Sequence, residues 1–138
     1  MLLAACAAPP PEPDSTSVPP EVAAIDVDVA QTCAMLSIVQ TTTGNALAGY
    51  AMGTVSADDA AVILNTTPDS LTAITHLSSG LAPEVTVLLE SVSNTPATIP
   101  GALFDPTAEP YMSSFLALKD ACEADGFVVA GVANFPGG

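Results

Sequence analysis

From Glu21 onward the apolar residues recur at intervals of three and four. Val22, Ile25, Val29, Cys33, Leu36, Val39, Thr43, Leu47 and Tyr50 share one helical face. Pro19-Pro20 suits a helix start and Gly53 a stop, with Gly44 and Gly49 weakening the far end. The spacing predicts one long helix of about thirty residues, loosened near Gly44. Next, Ser56-Ala57-Asp58-Asp59 reads as an N-cap followed by first-turn acids that suit the helix dipole. Ala60, Ile63 and Leu64 supply its buried stripe. Thr67-Pro68-Asp69-Ser70 is a second start signal, with Thr67 as cap and Pro68 at the first helical position. Leu71, Ile74 and either Leu77 or Ser78 continue the face. This stretch is two short helices or one helix bent at Pro68, and the apolar phase, which carries across, favours the bend.

Gly80 closes that segment and Ala82-Pro83-Glu84 opens another, with Val85, Leu88, Leu89 and Val92 at i, i+3, i+4 and i+7. The three prolines between Thr95 and Pro106 mark a crossover loop. A last helix is expected from near Thr107, with Pro110 in its first turn. Tyr111, Phe115, Leu118 and Cys122 form its face, and Gly126 stands just past its end. The apolar tail Phe127 to Phe135 is expected to pack back as an extended segment. The fold class is therefore all-α: a small bundle of about four helices. Ahead of it, Ala7 to Pro20 holds six of the thirteen prolines and nothing to bury, so it reads as a disordered tether. At about 3.1 Å per residue its reach is at most roughly 40 Å.

Length and composition narrow this picture. The chain has 138 residues, enough for one domain. Removing residues 1–20 leaves roughly 118, sufficient for a real core without metals. Hydrophobic residues make up 49% and charged ones 12%, so the solvent face must be largely Thr, Ser, Asn and Ala, as is common in exported proteins. No stretch approaches the roughly 18 apolar residues of a membrane span. Fifteen acids stand against one Lys and no Arg, a net charge of −14. Such a surface repels nucleic-acid phosphates and lacks the basic clusters that neutralise them, so no nucleic-acid partner is expected. The acids are scattered as singles and pairs. That favours a solvated, repulsive surface over recruitment of a cationic partner.

At the N-terminus, Leu3-Ala4-Ala5-Cys6 is a branched apolar residue, two small ones and a cysteine, followed at once by the Pro-rich run. It resembles the lipobox of bacterial lipoproteins. The resemblance implies a diacylglyceryl group on the Cys6 thiol, cleavage just before it, and acylation of the new N-terminus. It also implies a place on the outer face of the cytoplasmic membrane, with the membrane as partner through that lipid. Residues 1–5 are then a remnant of a signal peptide, 6–20 the lipidated tether, and 21–138 one helical domain. A signal of this kind needs a basic n-region and an apolar h-region of about 7–15 residues. Only Met1 to Ala5 precede Cys6, so Met1-Leu2-Leu3 is expected to be the tail of a longer h-region. The resemblance covers about the first twenty residues. The body is only loosely similar to small helical lipoproteins of unknown function from high-GC bacteria.

With Cys6 lipidated, Cys33 and Cys122 remain, an even number in an oxidising compartment, which reads as one disulfide. The alternative is two buried free thiols. Independently of compartment, Cys33 lies on the buried face of the first helix and Cys122 on that of the last, so both point into one core.

Chemistry-bearing patterns are sparse. His76 is the only histidine, which rules out a His-His metal pair, and it reads as a boundary residue. There is no G-x-S-x-G elbow, P-loop or G-x-G-x-x-G. Asp26 and Asp28 are two apart and diverge on a helix. Glu109, Asp120, Glu123 and Asp125 read as a solvated acidic face, Lys119 pairs with Glu123 at i+4, and the Asn65-Thr66-Thr67 sequon reads as coincidence. No catalytic residue, metal ligand or cofactor is nominated. The function expected is a lipid-anchored extracytoplasmic helical module, not an enzyme, that binds a cell-envelope protein or small ligand through a groove. One alternative is a carboxylate-based or metal-dependent hydrolase, which requires two acids, or an acid and His76, converging in a cleft. The other is an inert spacer.

Overall fold

The computed structural model describes residues 26–129. Within that span lie five α-helices and no strand, an all-α bundle. Helix α1 covers Val27–Ala51, α2 Ala57–Asn65, α3 Thr67–Leu77, α4 Ala82–Asn94 and α5 Tyr111–Ala124. Helix α1 packs against α2, α3 and α5, and α4 packs against α3 and α5.

The long first helix forms, but it starts later than its apolar spacing suggests. Asp26 is extended and its carboxylate accepts from the Asp28 and Val29 amides, so the helix begins at Val27. Val22 and Ile25 lie outside the described residues. Gly44 is buried within an unbroken helix and loosens nothing. At the far end Gly53 takes φ 70, with Thr54 N–H bonded to Gly49 O and Gly53 N–H to Tyr50 O. These two bonds are the Schellman stop that a glycine at C′ permits. The expected core face holds from Val29 to Thr43 and then drifts, so that Ala46 and Gly49 are buried while Tyr50 is exposed.

Ser56 caps α2 as its sequence suggests, accepting from Asp59 N–H while its hydroxyl donates to the Asp59 carboxylate. The expected bent helix is two helices that share Thr66. Its backbone stays right-handed helical and it ends α2 and starts α3, so Thr66 rather than Thr67 is the junction. At the end of α3 the buried position is Ser78, and Leu77 points outward.

Gly80 explains how the α3–α4 turn reaches α1. A Cβ there would lie 2.5 Å from Val29 N and 2.6 Å from the Asp28 carbonyl carbon. Only a residue without a side chain allows that approach. Around it, Thr32 Oγ1 donates to Gly80 O at 2.6 Å and Ser78 Oγ donates to Asp28 O at 2.6 Å, with the two hydroxyls adjacent. Ser79 also donates to the Asp28 carboxylate. Leu81 then takes φ 60, a left-handed conformation that a branched side chain adopts at a cost of about 1–2 kcal/mol.

The last helix begins at Tyr111, four residues after the expected start at Thr107. Asp105 accounts for the delay: its carboxylate accepts from the Thr107 amide at 2.8 Å and hydroxyl at 2.7 Å, folding 105–107 into a turn. Thr95 Oγ1, at the end of α4, accepts from Tyr111 N–H at 3.1 Å and donates to Ser91 O at 2.8 Å. One hydroxyl thus joins the end of α4 to the start of α5. Gly126 stops α5 with φ 86, and Phe127 N–H returns to Cys122 O at 2.9 Å. Of the tail, Phe127 is half-buried against the core, Val128 is exposed and Val129 is buried in the core; residues 130–135 lie outside the described residues.

The core runs through all five helices: Leu36, Leu64, Leu71, Leu88, Phe115 and Leu118 are each 1% exposed or less. Burial of each such side chain stabilises the fold by about 1.5–3 kcal/mol. Phe104 from the crossover loop joins them, its ring centroid 4.8 Å from that of Tyr111. Cys33 and Cys122 form a disulfide with their Cα atoms 5.8 Å apart. It joins α1 to α5, where both faces meet the core.

Candidate functional site: an open cavity between α4 and the crossover loop

The crossover loop is held by a residue whose role its sequence context hides. Asn65, at the end of α2, donates through Nδ2 to Gly101 O at 3.0 Å and accepts at Oδ1 from Leu103 N–H at 2.8 Å. A carboxamide donates through its NH2 and accepts through its C=O at the same time. The same Asn65 was legible only as part of a sequon. With residues 101–103 fixed, Leu103 stands 59% exposed beside α4.

Between that loop, the start of α3 and α4 lies a solvent-open cavity of about 550 Å³. Pro68, Leu89, Val92 and Leu103 give it an apolar lining; Glu90 and Ser93 add one carboxylate and one hydroxyl. Its volume falls within the range of small-molecule sites, which combine apolar walls with few polar groups. Two smaller grooves flank α1. One, of about 200 Å³, runs between α1 and α3 and is lined by Met35, Ile38, Val39, Ser70, Ala73 and Ile74. The other, of about 240 Å³, is a shallow depression bounded by Ser37, Ile38, Thr41 and Thr42. Glu90 is the single ionisable residue lining any of the three.

No other ionisable group among the described residues lines any of these three cavities. Asp58, Asp59 and Asp69 are exposed, as are Glu109, Asp120, Glu123 and Asp125. His76 is exposed in the last turn of α3. Lys119 and Glu123 form the i, i+4 pair at 2.6 Å. Such exposed pairs contribute little stability. Among the described residues, no three His, Cys, Asp or Glu side chains are grouped so as to hold a metal ion.

Two buried polar side chains stand out. Asp105 is the one buried carboxylate among the described residues. Burial alone would raise its pKa, but hydrogen bonds from the Thr98 and Thr107 hydroxyls and the Thr107 amide outweigh it, holding the carboxyl below the usual range. Its oxygens are engaged in fixing the crossover loop. Tyr111 is 1% exposed, and its hydroxyl has no hydrogen-bond partner among the described residues. Desolvation pushes its pKa well above the ordinary tyrosine value. Neither group opens onto the cavity.

Fold and site together define a disulfide-stapled helical bundle with an open, mainly apolar cavity. No family model, curated protein or solved structure matches the chain. No helix among the described residues is long and apolar enough to cross a membrane. Cys6 and the tether lie outside the described residues.

Proposed function

We propose that this protein is a lipid-anchored, extracytoplasmic helical module that binds a small ligand in the cavity between α4 and the crossover loop. The anchor rests on Leu3-Ala4-Ala5-Cys6 and the Pro-rich run behind it. The binding role rests on one observation: the largest of the three cavities is walled by Leu89, Val92 and Leu103 and carries a lone carboxylate. Acid–base hydrolysis with two carboxylates would need a second acid at hydrogen-bonding reach of the same substrate. A lone Glu90 beside apolar walls instead suits recognition: an apolar body packs on the leucines, and a hydroxyl or ammonium end meets Glu90 and Ser93. The ligand class is therefore a small amphipathic molecule, neutral or cationic.

Titration with the neutral fluorophore N-phenyl-1-naphthylamine tests the site. Saturable enhancement with one site per chain is expected, and Leu103→Asp should weaken it by roughly tenfold or more, because a carboxylate replaces an apolar wall. Leu103 is already exposed, so the variant should fold. No enhancement, or equal enhancement in the variant, would remove the cavity from the account.

A further inference from the structure

Two polar side chains on the rim of the α4 cavity are left unengaged by the fold. Elsewhere α4 absorbs its own hydroxyls: Thr86 Oγ1 donates to Ala82 O at 2.8 Å and Ser91 Oγ to Leu88 O at 2.6 Å. Ser93 Oγ makes no such bond, and the Glu90 carboxylate has no hydrogen-bond or ion-pair partner among the described residues. Asn94 Nδ2 donates to the Glu90 backbone carbonyl at 3.1 Å and leaves that carboxylate untouched. Glu90 and Ser93 are exposed and stand at i and i+3, where Cβ atoms lie about 5–6 Å apart on one side of a helix. A carboxylate and a hydroxyl, both able to accept, thus flank the apolar walls of Leu89, Val92 and Leu103.

Charge decides which head group fits there. Lys119 is the one basic side chain in a chain of net charge −14, and it is paired with Glu123 at 2.6 Å. His76 stands at the other end of α3 from Pro68, about 12 Å along the helix. Pro68 brings the first turn of α3 to the cavity, the helix end that favours anions, but Asp69 already places a carboxylate in that turn. An anionic head group would therefore meet Glu90 without a compensating cation, while the acidic surface draws cations toward the opening. No aromatic ring lines the cavity. Aromatic faces are what hold a quaternary ammonium, so that head group would lack its usual contacts. A primary ammonium has N–H donors for both Glu90 and Ser93.

We infer that this cavity selects a small protonated primary amine with an apolar body, an inference that rests on reading it as the binding site proposed above. The ammonium donates to the Glu90 carboxylate and the Ser93 hydroxyl oxygen, and the body packs on Leu89, Val92 and Leu103. Glu90 sets the specificity: it separates amines from alcohols and carboxylates of the same shape. Ser93 separates primary from quaternary amines, because only the former has an N–H to give it.

Displacement of N-phenyl-1-naphthylamine from the full chain carrying Cys6→Ser tests the selection. The competitors are octylamine, octanol, octyltrimethylammonium and octanoate, which share one apolar chain and differ at the head. At 0.01 M salt, where the Debye length is about 30 Å, octylamine should act at a concentration roughly tenfold below octanol and roughly threefold below octyltrimethylammonium, with octanoate weakest. The gap to octanol should narrow at 1 M, where the Debye length is about 3 Å. Glu90→Gln should remove most of that gap. Glu84→Gln, an equal loss of charge at an exposed α4 residue that does not line the cavity, should not. Ser93→Ala should bring the two ammonium ions together. Equal displacement by octylamine and octanol at low salt, or equal effects of Glu90→Gln and Glu84→Gln, would overturn the inference while leaving the cavity a binding site. Equal displacement by the two ammonium ions in the parent would overturn the hydrogen-bonded primary head. A parent that does not bind the fluorophore at all would overturn both readings together.

Discussion

Gly80 performs a task that no other residue type fills at its position, and Asp105 accepts three hydrogen bonds that fix the crossover loop. At Gly80 the α1 backbone occupies the space a Cβ would need. Gly80→Ala should therefore cost about 1–3 kcal/mol, the range for overpacking a tight contact, even though it lowers the backbone entropy of the unfolded chain. Urea unfolding would read this as a lower midpoint with an unchanged slope. An unchanged midpoint would mean that the turn does not sit against α1 at this distance. Asp105 bears on pH. Its carboxyl is held below its ordinary value near 3.8 in the folded state. Its contribution is fully present above that value and is lost as pH falls through the lower, folded-state one. Stability should thus decline on acidification below about pH 4. In Asp105→Asn, which still accepts the Thr107 amide bond, that acid-sensitive part should shrink and stability at neutral pH should fall. Equal acid slopes in both proteins would assign the effect to other carboxylates.

The helices themselves were largely legible, and the joints between them were not. The three-four spacing of Tyr111, Phe115, Leu118 and Cys122 marks a buried face because period alone decides which residues of an amphipathic helix meet the core. Ser56, Gly53 and Gly126 act where their chemistry places them, since caps depend on local backbone groups. The start of α5 misleads because Thr107 is a good cap by type. Its amide and hydroxyl are instead claimed by Asp105, a competition between two turn geometries that spacing does not reveal. Asn65 was illegible as a clamp for a different reason. Its partners Gly101 and Leu103 are more than thirty residues away, and a long-range side-chain bond leaves no local pattern. The hydroxyls that seat the α3–α4 turn on α1 belong to the same class. Thr32 is fully buried and Ser78 nearly so. If they act as one unit, a double-mutant cycle of Thr32→Val and Ser78→Ala should show a coupling of about 0.5–3 kcal/mol. Additive losses would mean that each hydroxyl serves its own carbonyl alone.

Taken across the fold, the one candidate cavity depends on features far from it. Asn65 fixes the loop carrying Leu103, Asp105 fixes the other end of the same loop, and Thr95 joins α4 to α5. The disulfide closes a loop of 89 residues between α1 and α5. In the chain-entropy model that constraint stabilises the fold by about 4–5 kcal/mol. Structural disulfides persist mainly in oxidising compartments, and the proposed lipid anchor on Cys6 would place the chain in one. Sequence could pair Cys33 with Cys122 because each lies on a buried helical face. It could not place the cavity, which needs a loop, two helices and a clamp from a third to come together. Compartment, anchor and disulfide meet in one experiment: intact mass spectrometry of the protein produced from its natural upstream region, before and after reduction. The expected result is a chain that begins at Cys6 with a diacylglyceryl adduct and gains the hydrogens of one reduced disulfide. A mass with Cys6 unmodified and all three cysteines as free thiols would contradict it.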